Sequence, residues 1–357
     1  MRPTITAFRE ADIEEASRLL AQRHEGDRIH EPALPERFAH PAQARLEVEQ
    51  TWKASTVHGV SAGGVVARDD GKMIGYMIGA PRIDETWGRS VWVEYAGHAI
   101  DRGYSADLYR DLYAALSPRW VALGCLYHIV NLPASDRDAL DAWFNLSFGK
   151  EHTYGLRETA SAASFHVALD PAITIRRAGP ADVDLAIELD EVLSVHQARA
   201  PVYAIILPYP KEEARQEALE QLEKPDWKTW LALRGEQVVG IQLFLPARPP
   251  KGLGIMVIPE QCSFLGFAAT REEEQGRGIG RALTARGLAS DFDDGYRFCF
   301  TDWRATNLLS SRMWVGQGWK PVAYRLTRRL DERILWSHAN ASPAPWLERR
   351  FAGLWHS

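Results

Sequence analysis

Three stretches of this chain occur twice, in the same order and at nearly the same spacing, and that repetition limits the fold before any local pattern is considered. FREADIEEASRLL, from Phe8 to Leu20, is echoed by IRRAGPADVDLAIELDEVL, from Ile175 to Leu193, which sets Arg9 and Arg176 167 residues apart. VVARDDGKMIGYMIGAP matches WLALRGEQVVGIQLFLP, two apolar runs around a polar glycine turn, with Gly75 and Gly240 165 residues apart. ASDRDALDAWFNLSFGKE matches ATNLLSSRMWVGQGWKPV, placing Asp136 opposite Asn307, Trp143 opposite Trp314 and Phe148 opposite Trp319 at an offset of 171. A duplicated domain accounts for all three.

Each copy reads as a strand, one or two helices, a hairpin, a central strand, a helix, another strand, a helix and a closing strand. That is an α+β domain with a mixed, mostly antiparallel sheet flanked by helices. The junction falls in VALDPAITIRR, where a strand-like run ends at Asp170-Pro171, because proline cannot continue a ladder. Domains are expected at residues 1–170 and 171–331, with a tail at 332–357 whose Trp346, Leu347, Phe351, Leu354 and Trp355 fit one face of a helix packed on the core.

Composition narrows the partners. The 357 residues are 46% hydrophobic, and 47 acidic side chains outnumber 42 basic ones, so attraction to a nucleic-acid backbone or an anionic membrane is not expected to dominate. No run approaches the apolar length of a membrane span, and the N-terminus passes from a strand into an acidic helix without a signal-peptide core. A cytoplasmic protein, monomeric or homodimeric, is the expectation. Cys125, Cys262 and Cys299 sit in separate apolar runs and read as buried thiols of a reducing compartment. His98 and His128 lie on apolar strands and read as satisfied core residues. His24 and His30 match no common metal spacing, so no metal is expected.

The densest chemical signal is EEEQGRGIGRAL, Glu272 to Leu283, between the buried strand QCSFLGFAAT and the amphipathic helix RALTARGLASDF. Amides at a helix start have no intrahelical partner, the macrodipole adds positive potential, and glycine admits close backbone approach, so an anion is stabilised there. Arg277 and Arg281 can add charge-assisted bonds. The run lacks the Gly-Lys-Ser/Thr of a P-loop and the spacing of a dinucleotide fingerprint.

It does read Gln-x-x-Gly-x-Gly at Gln275, Gly278 and Gly280, followed after another strand by Asn307, Ser310, Trp314 and Gly318-Trp319. In these two motifs, in this order, the second copy resembles the GNAT family of acyl-CoA-dependent N-acyltransferases. The resemblance implies tandem GNAT-type domains with acetyl-CoA as acyl donor. It implies further that the backbone of Ala268, Ala269 and Thr270 pairs with the pantetheine arm at a splayed strand. Gln275, Gly276, Arg277, Gly278, Ile279, Gly280 and Arg281 would hold the pyrophosphate, and Asn307 would hydrogen-bond the cofactor.

The pattern breaks at position 314, where many relatives carry a tyrosine placed to protonate the leaving thiolate. Trp314 can donate an N–H to sulfur but cannot act as that acid. Asp302, at the end of the next strand, is a candidate base, although an ion pair with Arg304 or a helix-start contact is the simpler reading. Glu260 precedes the central strand, and Tyr324 on the closing strand is an alternative acid. The first copy departs further: Gly103 stands without a Gly-x-Gly, Tyr104 and Asp107 replace small or basic residues, and Asp136 replaces the asparagine. It resembles a degenerate copy that kept the sheet and lost the cofactor site.

The expected activity is transfer of an acetyl group from acetyl-CoA to an amine of a small-molecule acceptor by direct attack in a ternary complex. The rivals are a non-catalytic acyl-CoA sensor or scaffold, which the tryptophan at 314 favours, and an acyltransferase resembling mycothiol synthase, another tandem family with one degenerate copy.

Overall fold

A computed structural model describes residues 3–205, 207 and 209–335 of the chain. The aromatic stripe of the tail lies outside the described residues. The first run of elements is β1 (Thr4–Ala7), α1 (Ile13–His30), α2 (Pro41–Ala54), a short ribbon of β2 (Thr56–Val57) and β3 (Val60–Ser61), β4 (Gly64–Asp69), β5 (Lys72–Ile78), β6 (Ala80–Asp84), β7 (Gly88–Val93), β8 (His98–Ile100), α3 (Leu108–Ala122), β9 (Tyr127–Pro133), α4 (Arg137–Phe144) and β10 (Gly149–Glu158). The second is β11 (Ile173–Arg177), α5 (Val183–Ile187), α6 (Asp190–Ala198), α7 (Lys211–Leu222), β12 (Lys228–Arg234), β13 (Gln237–Pro246), β14 (Cys262–Thr270), α8 (Ile279–Asp293), β15 (Phe298–Arg304), α9 (Leu308–Gly316) and β16 (Lys320–Arg329). Mostly antiparallel sheets flanked by helices are what the repeated pattern predicts.

Compact packing does not follow the linear halves. One unit gathers residues 1–152, 249–257 and 322–335, and the other gathers 153–248 and 258–321. In the first unit β1, β4, β5 and β8 form an antiparallel sheet, while β9 runs parallel to β7 and antiparallel to the Ala323–Arg329 stretch of β16. In the second unit β11, β12, β13 and β14 are antiparallel in order, β15 lies parallel to β14, and residues 153–158 of β10 add the next strand. Each unit is thus closed by the strand that follows the other copy's last helix.

The echoes become equivalent positions. A side chain at Gly75 would lie 3.2 Å from Leu108 Cδ2, and one at Gly240 would lie 3.0 Å from Leu283 Cδ1, so both glycines let a helix cross a strand closely. Asp136 accepts from Ala139 N–H at 3.0 Å and Asn307 from Ser310 N–H at 3.2 Å, each capping a short helix. Trp143, Phe148, Trp314 and Trp319 are all buried. The first echo shifts in register: Asp12 accepts from Arg9 N–H at 2.7 Å and Asp182 from Gly179 N–H at 2.9 Å, which makes Gly179, not Arg176, the counterpart of Arg9.

The first core is aromatic, with Tyr109, Tyr113, Trp120 and Trp143 packed among β-strand valines and leucines. His98 and His128 lie inside it as satisfied residues. His98 bonds Asn131 O at 2.9 Å and Tyr109 Oη at 3.2 Å, and His128 bonds Cys125 O at 3.0 Å and Tyr113 Oη at 2.8 Å. Burial depresses their pKa values to about 3 and about 4, so both rings stay neutral. The three cysteines are free and buried, and burial pushes each thiol up.

Candidate functional site

The site begins with a fault in β14. Its pairing with β13 runs Leu243 opposite Phe267 and then Phe244 opposite Leu265, leaving Gly266 as an extra residue, a β-bulge. The parallel ladder to β15 reaches Leu265 opposite Thr301 and stops, although β14 continues to Thr270. From the bulge onward Ala268, Ala269 and Thr270 keep β13 on one edge and offer the other edge to a ligand.

Beyond Thr270 the acidic turn is anchored rather than loose. Glu274 is buried and accepts from Arg234 Nε at 3.0 Å and Nη2 at 3.1 Å, while Arg234 Nη1 reaches Asp170 at 2.9 Å. The Arg234 guanidinium holds the Glu274 carboxyl below its ordinary range. Arg277 leans on Glu274 at 3.3 Å.

Gly276 and Gly278 then take positive φ, 78° and 85°, a conformation that side chains resist. A side chain at Gly278 would also lie 3.2 Å from Ala168 O, and one at Gly280 would meet Met313 Cε at 2.7 Å. Helix α8 opens at Ile279, and its first bond runs from Ala282 N–H to Gly278 C=O at 2.9 Å. The amides of Ile279, Gly280 and Arg281 therefore precede the ladder, at the positive end of a 15-residue helix. Gln242, buried on β13, donates to Gly280 C=O at 3.0 Å and pairs with the Thr284 hydroxyl at 3.1 Å, fixing the helix head on the sheet.

Asn307 closes the other side. It is buried, and its Oδ1 accepts from Ser310 N–H and lies 3.2 Å from His196 Nε2 on α6. Trp314, on the helix that Asn307 caps, packs edge-on against Trp319 at 5.2 Å.

These elements enclose a cavity of about 460 Å³. Of the residues the sequence singles out, Ala268, Ala269, Thr270, Gln275, Gly276, Gly278, Ile279, Gly280, Arg281, Asn307 and Trp314 line it. Arg277 is held outside the lining by Glu274. Asp302 is half-buried on β15, one residue past the last parallel pair, and is not in the lining. Tyr324 is buried in the core of the first unit, opposite Leu132 on β9, with Lys150 Nζ 3.7 Å above its ring. Burial raises its phenol pKa, which makes it a weaker acid.

Sequence reading passed over Gln242, Arg234 and His196. A glutamine inside the apolar run VVGIQLFLP is a visible signal, but Arg234 and His196 carry none, because their partners lie 40 and 111 residues away.

A left-handed glycine turn that side chains resist, helix-head amides ahead of their ladder and an adjoining free strand edge suit a phosphorylated ligand with an amide-bearing arm. Among the described residues no three His, Cys, Asp or Glu side chains are grouped to hold a metal ion, and no helix is long and apolar enough to cross a membrane.

Comparison with known proteins bears on the family and the fold. The family model described as acetyltransferase (GNAT) family matches residues 193–319. No curated protein sequence matches the chain. Among solved structures, a GCN5-related N-acetyltransferase from Sphaerobacter thermophilus is 17% identical, with a TM-score of 0.55 over 92% of this chain and 96% of that one. A tandem GNAT protein from the clavulanic acid biosynthesis pathway is 13% identical, with a TM-score of 0.47 over 96% and 99%. The match over residues 193–319 thus identifies a GNAT-family domain in the second half of the chain, and the likeness to the Sphaerobacter thermophilus structure extends over nearly the whole chain as a shared fold.

Proposed function

We propose that the second unit binds acetyl-CoA in this cavity and transfers the acetyl group to an amine of a small-molecule acceptor by direct attack in a ternary complex. The observation that carries the reading is the left-handed turn at Gly276 and Gly278 running into the unladdered amides of α8, beside the strand edge released by the Gly266 bulge. The amides from Gly276 to Arg281 would hold the pyrophosphate, and the Ala268–Thr270 edge would pair with the pantetheine amides. Asn307 would order the arm between them. When bound, the donor supplies an activated thioester carbonyl.

The chain supplies position and polarity. Fixed backbone N–H groups at the splay favour negative charge on the carbonyl oxygen without reorganising. Trp314 lines the cavity and can steady a sulfur by N–H donation, but it cannot protonate one. The acceptor reads as a small molecule, since neither charge nor composition marks a nucleic-acid or membrane surface.

Gly278→Asp tests the reading, because it forces a side chain into a left-handed position and sets a carboxylate against a diphosphate. Acetyl-CoA at 100 times its Kd should stabilise the wild type by about 2.7 kcal/mol, and the variant by nothing measurable. Gly103→Asp in the first copy should leave the ligand-induced shift intact. Undiminished stabilisation of the Gly278 variant would sink the assignment. The sensor reading, favoured by Trp314, predicts stabilisation without thiol release from acetyl-CoA with any amine.

A further inference from the structure

The titratable side chains that line the cavity are few. Glu274 is committed to Arg234, and Arg281 and Arg312 cannot give up a proton near neutral pH. Asp302 and Tyr324 are not in the lining, and the indole at Trp314 is no acid. His196 is left. It projects from α6 into the cavity, where its Nε2 lies 3.2 Å from Asn307 Oδ1.

The tautomer of His196 follows from the helix cap. Asn307 Oδ1 accepts the backbone N–H of Ser310 at 3.2 Å, so the Asn307 atom facing the imidazole is the oxygen, an acceptor. The ring must then present a proton at Nε2, and in the neutral form Nδ1 keeps a lone pair. No described residue forms a hydrogen bond with Nδ1. A ring held at one nitrogen and basic at the other, in the cavity proposed to hold the thioester, is built to accept a proton and release it.

We propose that His196 takes the proton from the attacking amine and delivers it to the departing sulfur, a role that rests on the acetyl-transfer reading above. The amine lone pair forms the new C–N bond at the thioester carbonyl carbon, and Nδ1 accepts the proton that nitrogen sheds. The C–S bond breaks with its electron pair on sulfur, and Nδ1 returns the proton there. Amide and thiol are the products, the ring ends neutral, and no second acid is needed, which accounts for a tryptophan at position 314. The Nε2–H bond to Asn307 Oδ1 steadies the transient imidazolium. The charged groups lining the cavity with the ring are Glu274, Arg281 and Arg312, and the elements around it also carry Asp190 and Glu191 on α6, Arg199 just past it, Glu272, Glu273 and Arg277 before α8, and Asp302 and Arg304 on β15.

The experiment follows thiol release from acetyl-CoA with kanamycin, spermidine and glucosamine across pH, for the wild type, His196→Gln and His196→Ala. The glutamine amide can still donate to Asn307 Oδ1 but cannot carry the proton. Both variants should lose about 100-fold in kcat, and the acid limb of the wild-type profile should vanish. The KM for acetyl-CoA should stay within about twofold in the glutamine variant, with coenzyme A still raising its melting temperature. A glutamine variant with wild-type kcat and pH profile overturns the proposal, as does one that restores what alanine loses, which would make the residue a support for Asn307 only. A wild type that is stabilised by coenzyme A yet releases no thiol with any of these amines overturns the acyl-transfer reading and this role with it.

Discussion

Leu108 and Leu283 each cross a strand glycine, Gly75 and Gly240, so the stretch from Arg102 to Leu108 is the counterpart of that from Arg277 to Leu283. In the first copy the helix starts only at Leu108, and the amides before it are already used: Gly103 N–H donates to Asp101 Oδ1 at 2.9 Å, Tyr104 N–H to Asp101 C=O at 2.9 Å, and Asp107 N–H to Ser105 Oγ at 3.2 Å. In the second copy the helix begins four residues earlier relative to its leucine, at Ile279, and the left-handed glycines carry the chain into it without side chains that could bond the amides. The strands beneath differ as well, since Met77 occupies the place of Gln242. One ancestral turn has closed on itself with two side chains, Asp101 and Ser105, while the other stays open because its glycines offer none. A helix start is therefore an anion site only when the sequence leaves its amides unspent.

The largest expected effect separates the two units by pH. The first unit buries three neutral histidines, His24, His98 and His128, whose pKa values burial lowers to about 4, about 3 and about 4. For a depressed pKa, stability is full above the ordinary imidazole value near 6.5 and is lost as pH falls toward the folded values, at about 1.4 kcal/mol per pH unit for each ring. Asp27, raised to about 6 by burial, works in the opposite direction and offsets part of this. Hydrogen exchange at decreasing pH should show protection failing first in β5, β8 and β9, while acetyl-CoA still protects the head of α8. Simultaneous loss in both units would break the distinction.

A smaller change tests the strand support directly. Gln242→Met borrows the first copy's residue and leaves Gly280 C=O and the Thr284 hydroxyl without their partner, a cost of about 1–3 kcal/mol. Acetyl-CoA affinity should fall about tenfold as the helix head loosens. The exchange at Met77→Gln should leave acetyl-CoA binding unchanged. Calorimetric titration of both variants checks the pair.

The caps come next. Asp136→Ala and Asn307→Ala each remove the same kind of bond, so each should cost about 1 kcal/mol of stability. Only the second should weaken acetyl-CoA binding, because only Asn307 lines the cavity. Equal effects on binding would mean that the two copies share more function than their helix heads suggest.

What the sequence made legible was whatever is written locally. Repeated apolar periods pointed to two α+β domains, and the glycines at 276 and 278 announced a turn in the left-handed region. Asn307 stood out through its place in the motif that follows the glycine run, the basis of the resemblance to the GNAT family. The rest depends on pairings between distant segments. Gln242 reaches Gly280 across 38 residues, Arg234 reaches Glu274 across 40, and His196 reaches Asn307 across 111. The bulge at Gly266 appears only as a change of register between two strands. The grouping of β16 with β9 is equally invisible locally, since a closing strand reads the same whichever edge it joins.

The smallest expected effect lies in how each turn is tied to the end of its hairpin. In the first copy Tyr104 Oη donates to Asp69 at 2.8 Å, and in the second Arg234 grips Glu274 and Asp170. Arg234 is partly exposed, so its removal by Arg234→Gln should lower stability only slightly at neutral pH. The pH dependence identifies the source. Arg234 depresses the Glu274 carboxyl; the Asp170 carboxyl is depressed first by the Ala172 N–H and then by Arg234. Stability from such depressed carboxylates is full above their ordinary values near 4 and disappears as pH falls through the folded ones. The melting-temperature difference between wild type and Arg234→Gln should therefore be present at pH 7 and close in acid, whereas Tyr104→Phe should leave acetyl-CoA binding untouched at either pH. If Arg234→Gln binds acetyl-CoA as the wild type does, the glycine turn holds its shape without the acidic anchor, and the open helix head owes its form to Gly276 and Gly278 alone.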